Sequence, residues 1–128
     1  MPSNDFWILA GGVHSVALLI FHIGFWRMLR WKKELKHVSQ VNRAVMQILN
    51  LRLIYVFAVL AAACFYFRTA LADSPIGLAI LGAASLFWVG RLIEQFIFLR
   101  RGNWMVHTLT VVFFLGGVIF AMPVVNRL

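Results

Sequence analysis

The sequence is poor in cysteine, in acidic residues and in soluble catalytic motifs. It holds one cysteine, Cys64, in 128 residues. A single thiol excludes a disulfide within the chain and a Cys-rich metal site. Cys64 lies inside an apolar run, where a small packing residue is expected. Only four acidic residues, Asp5, Glu34, Asp73 and Glu94, face 12 Lys and Arg, for a formal net charge of +8. Such a balance often marks a nucleic-acid binder. Here the basic residues flank apolar runs, so membrane lipids, not nucleic acid, are the expected partner. There is no Gly-rich phosphate loop, no nucleophile elbow and no His-Glu-x-x-His. Ser15, Ser39 and Ser85 have no base and orienting carboxylate beside them. No internal repeat, low-complexity tract or second domain is evident. The start, Met1-Pro2-Ser3-Asn4-Asp5, lacks the basic region of a cleaved signal, so the first apolar run is expected to stay as a helix.

What the chain has in excess is apolar surface. Hydrophobic residues make up 62%, against roughly 45–50% in soluble domains. A soluble core of this size could not hide that much. Four stretches reach the ~20 residues that cross a bilayer as a helix. They run from about 6–26, 44–67, 75–99 and 104–123. Alternating strand patterns are absent, so helices must satisfy the backbone in lipid. The expected fold is all-α: an integral membrane four-helix antiparallel bundle, residues 1–128 forming a single membrane domain. Asp73 or Ser74 is placed to cap the third span, with Pro75 in its first turn.

Charge asymmetry orients the spans. The first and third connectors carry Arg27, Arg30, Lys32, Lys33, Lys36, Arg43, Arg100 and Arg101. The other side carries only Arg68 and Arg127. By the positive-inside rule, both termini face the non-cytoplasmic side of a cell inner membrane. Trp7, Trp26, Trp31 and Trp104 fall where span ends meet headgroups. Arg27, Arg30, Arg43, Arg52, Arg100 and Arg101 are candidates for contact with lipid headgroups or phosphate. Arg52 could also snorkel. His37, in the basic connector, is expected to be solvated.

Ionisable groups inside spans are costly and tend to face the protein interior. His22 lies roughly 8 Å from the cytoplasmic end of its span, Glu94 roughly 9 Å and His107 roughly 6 Å, at about 1.5 Å per residue. Gln47 and Asn50 fall in the same layer. Arg91, Glu94 and Gln95 share one helix face, and Arg91 can pair with Glu94. This polar layer of Gln47, Asn50, Arg91, Glu94 and Gln95 with His22 and His107 is a functional candidate. The same residue types also serve as glue between membrane helices. His14 stands apart near mid-depth, beside Gly11, Gly12, Ser15 and Ala17. Such small residues admit a flat cofactor or a second helix.

His14, Gly24, Trp26 and Arg30 in the first span resemble the first helix of the four-helix, haem-binding protoporphyrinogen oxidase family. The related copper-resistance D-type membrane domains are similar. Ser74-Pro75-Ile76-Gly77 and Gly90-Arg91 in the third span fit the same resemblance. It implies His14 as a haem ligand. The family's early third-helix lysine has no counterpart, because no lysine follows Lys36. Its fourth-helix signature is reduced to Asn103. Arg43-Ala44, Gln47 and Asn50 also resemble, at similar spacing, the second helix of glutathione- and eicosanoid-handling membrane proteins, with Gln and Asn in place of that family's Asn and Glu.

Three functions follow as expectations. The first is a redox or metal-handling protein. It would hold haem b through His14, or through His22 with His107, or a divalent metal through His22, Glu94 and His107. The second is proton or small-ion transport through the polar layer. The third is a non-catalytic accessory or assembly subunit, in a homo-oligomer or a larger membrane complex. Its close helix contacts would form at Gly77, Gly82, Ala83, Gly116 and Gly117.

Overall fold

The computed structural model describes residues 4–99 and 102–127. Arg100 and Arg101 lie outside the described residues. Among the described residues the chain is all-α, with no strand. Helix α1 is Asn4–Ile23, α2 Phe25–Met28 and α3 Trp31–Glu34, followed by a 3₁₀ turn at Leu35–His37. Helix α4 is Gln40–Tyr66, α5 Arg68–Asp73, α6 Pro75–Phe98 and α7 Trp104–Arg127. Four of them, α1, α4, α6 and α7, are long and apolar enough to cross a membrane.

Helix ends differ from the apolar runs for local reasons. The first span stops at Ile23, before the expected end at Trp26, because the chain turns at Gly24. The Gly24 amide is shared between the carbonyls of Ile20 and Phe21, both at 3.1 Å. Helix α4 starts at Gln40, ahead of its apolar run. Ser39 holds this start, its Oγ accepting from the Asn42 amide at 3.3 Å and its carbonyl from the Arg43 amide at 2.9 Å. Residues 68–74, expected as a short loop, contain the helical turns of α5. Ser74 caps α6 as expected. Its Oγ accepts from the Gly77 amide at 2.9 Å, and Pro75 takes the first turn, where no donor is needed. Helix α7 continues through the buried Pro123 to Arg127 instead of ending there.

The chain divides into two compact units, Gly12–Ala62 and Met1–Gly11 with Ala63–Leu128. In Gly12–Ala62, α1 and α4 form a hairpin whose connector is itself folded. Trp31 and Leu35, one turn apart, are buried within that connector. The second unit centres on the antiparallel hairpin of α6 and α7. Ser85 donates to the Gly117 carbonyl at 2.7 Å, and Trp88 stacks on Phe113 with centroids 5.5 Å apart. Helix α5 folds back on α6 at Gly77. A Cβ there would sit 2.5 Å from Leu71 Cα, so only glycine allows this approach. The first turn of α1 belongs to the same unit. Asn126 Nδ2 donates to Asn4 Oδ1 at 3.1 Å, and Arg68 lies 3.5 Å from Asp5. Cys64 is fully buried, as a packing residue should be.

Candidate functional site

Four of the polar residues expected to form a functional layer, His22, Gln47, Asn50 and Gln95, make hydrogen bonds within their own units. In Gly12–Ala62, α1 ends at Ile23, so the His22 carbonyl is among its last four and lacks a regular helical partner. Asn50 Nδ2 donates to it at 2.9 Å. Asn50 is 3% exposed and His22 8%. The His22 ring lies 2.8 Å from the Leu18 carbonyl through Nδ1, stacks on Phe25 at 4.3 Å and meets Phe57 at 5.0 Å. Gln47 Oε1 accepts from Trp26 Nε1 at 3.0 Å, while its Nε2 donates to the Arg43 carbonyl at 3.2 Å. In the α6–α7 hairpin, Gln95, 1% exposed, donates through Nε2 to the Val106 carbonyl at 3.1 Å.

Arg91 does not close the expected ion pair with Glu94. Its guanidinium lies 4.7 Å from the centre of the Phe113 ring, while Glu94 is exposed. A flat cation of this kind stacks well on an aromatic face. His107 is exposed and borders a cavity of about 330 Å³ with Gln95 and Thr110.

The metal expectation finds no matching cluster. Among the described residues, no three or more His, Cys, Asp and Glu gather as a metal ion requires. The metal role expected of His22, Glu94 and His107 has no support there. The small face expected beside His14 is partly filled, since a Cβ on Gly11 would stand 2.7 Å from the Phe120 ring. The His22 ring is packed among Phe21, Phe25 and Phe57. The glycines expected to face partner proteins are likewise used inside the chain. Gly77 packs on α5, and Gly117 faces Val89 and accepts from Ser85.

Charge gathers elsewhere, in the connector between α1 and α4. A cavity of about 850 Å³ is lined by Arg27, Arg30, Lys32, Lys33, Lys36 and Arg43. Trp26, Trp31, Leu35 and Gln47 complete its wall. The Trp26 and Trp31 rings meet edge to face at 5.4 Å. No acidic residue lines the cavity, and the ion pair among the described residues, Arg68 with Asp5, lies in the other unit. Arg30 has φ of 53°, the left-handed region that L side chains avoid. That conformation costs roughly 1–2 kcal/mol for a residue with a Cβ. It turns the chain from α2 into α3 and keeps a guanidinium where glycine would fit more cheaply.

Three of the six arginines expected to meet lipid, Arg27, Arg30 and Arg43, are therefore brought together. Arg52 is not among them, for it is exposed and lies 5.7 Å from the Tyr55 ring. Lys32, Lys33, Lys36 and Trp31 join the site without having been singled out as site residues. The four-residue spacing of Trp31 and Leu35 was the available signal, because it marks a short helix with one buried face. No protein family, no curated protein and no solved structure matches this chain.

Proposed function

We propose that the chain is a multi-pass protein of a cell inner membrane. It places four spans in the bilayer, with both termini on the non-cytoplasmic side. Its basic connector binds the phosphate of anionic lipid headgroups at the cytoplasmic surface. One observation carries this reading: the cavity of about 850 Å³ presents six cations and two tryptophans with no acid among its lining residues. A strongly basic pocket at the end of membrane helices is the chemistry that holds lipid phosphate, and tryptophan favours headgroup depth.

The test is lipid binding by the purified full chain in mild detergent, followed by native mass spectrometry. Anionic phospholipid should stay bound where zwitterionic phospholipid does not. Replacing Arg27, Arg30 and Arg43 together by Gln should weaken anionic lipid binding roughly 100-fold, at about 1 kcal/mol per cation. Arg52→Gln should leave it unchanged. Equal retention of both lipid classes by the native chain would defeat the proposal.

A further inference from the structure

Beside the basic cavity lies an apolar groove of about 310 Å³, lined by Ile20, Phe21, Gly24, Met28 and Arg27. Arg27 also lines the basic cavity, so one side chain is common to both spaces. Gly24 leaves the groove open. A Cβ there would meet only the carbonyls of Phe21 and Ile20, at 3.4 and 3.8 Å. Ile20 is 63% exposed and Met28 44%. An apolar groove that shares Arg27 with a basic cavity matches an amphiphile, a chain attached to a charged head.

The charge on that head follows from the lining. Six basic residues line the cavity with no acid among the lining residues, while the connector's one acid, Glu34, is exposed at the end of α3. One phosphodiester would offset one of those charges, and a second phosphate another. Gln47 is already committed to Trp26 and to the Arg43 carbonyl, so the pocket selects by charge more than by hydrogen bonds to a neutral sugar or alcohol. We infer that the connector holds a lipid with two phosphates in its headgroup. The phosphates occupy the basic cavity, one hydrocarbon chain lies in the groove at Gly24, and Arg27 stands at the junction. This rests on the anion-binding reading of the cavity given above.

The test compares three probes on the detergent-purified full chain: diphosphatidylglycerol, phosphatidylglycerol and inorganic pyrophosphate. The quenching of tryptophan fluorescence reports binding. The diphosphate lipid should bind at least about tenfold more tightly than the monophosphate lipid, from the added charge pairing. Pyrophosphate, which has the charge but no chain, should bind more weakly than either. Gly24→Leu, which fills the groove at a backbone of φ −79° open to any L residue, should weaken the diphosphate lipid by about tenfold and leave pyrophosphate unchanged. Met28→Trp should act in the same direction, and serves if the leucine variant does not fold. Pyrophosphate binding as tightly as the lipid would overturn the inference while leaving the anion site standing. So would lipid binding that both groove variants leave intact, or equal affinity for the two lipids. If the native chain bound none of the three, the anion site itself would fall with the inference.

Discussion

The two hairpins solve the same problem in different ways. Each places one buried amide on a backbone carbonyl, near the last turn of α1 and in the first turn of α7, where Val106 also accepts from the Thr110 hydroxyl. Asn50 serves α1, and Gln95 serves α7. Their connectors then diverge. The α6–α7 hairpin returns within a few residues, and Asn103 Oδ1 accepts from the Val106 amide at 2.9 Å to start α7. The α1–α4 hairpin takes a long route through α2, α3 and a 3₁₀ turn. That route holds the charge, the strained residue and the cavity. The buried amides here bond helix carbonyls, and the basic residues gather in the connector.

The largest test of this contrast lies in the two buried tryptophans. Trp31→Ala and Trp88→Ala should each cost about 3 kcal/mol, as large-to-small core changes do. Both rings are nearly inaccessible, at 7% and 2% exposure. Unfolding in mixed micelles measures the loss. Limited trypsin digestion separates the two: the Trp31 variant should be cut at Lys32, Lys33 or Lys36, and the Trp88 variant should not. Equal protection in both variants would break the distinction between a folded connector and a plain hairpin.

A smaller effect is expected from the amides. Asn50→Leu and Gln95→Leu each remove one bond to a helix carbonyl, worth about 1 kcal/mol in membranes. The same unfolding measurement should find the two losses alike, and neither should alter lipid binding. A lipid phenotype for Asn50→Leu would return the polar layer to functional standing.

The smallest change has opposite signs in its two readouts. Arg30→Gly should raise stability by about 1 kcal/mol, because glycine adopts positive φ without strain. It should also weaken anionic lipid binding by removing one cation. A variant less stable than the native chain would mean that the arginine contributes packing beyond its charge.

Much of this architecture was legible in the apolar runs. Four runs and their flanking charges define four long helices, and the Ser74-Pro75 pair marks the start of the third span. The break at Gly24 was harder to see, since glycine is tolerated within membrane helices and the run continues through Phe25 and Trp26. The extension of α7 past Pro123 escaped for the converse reason, because proline ordinarily signals an end. Depth along the sequence placed His22, Gln47 and Asn50 near one level but could not show what each side chain touches. The guanidinium of Arg91 chose an aromatic face over a carboxylate three residues away. The connector, a polar loop of alternating basic and apolar residues in the sequence, folds locally because two of those apolar residues, Trp31 and Leu35, are buried. That Arg27, Arg30 and Arg43 would share one wall depended on the left-handed turn at Arg30, which no propensity assigns to arginine.

The charged connector has a consequence for how the protein responds to ionic strength. Six cations around one space repel one another, and at low salt that repulsion acts against the packing of Trp31 and Leu35. At physiological salt the screening length is about 8 Å, and charges farther apart than that are largely screened. Added salt therefore relaxes the empty connector while it weakens the attraction for an anionic lipid. On the proposed reading an anionic lipid would offset that repulsion, so the connector without it would be less stable at low salt than at high salt.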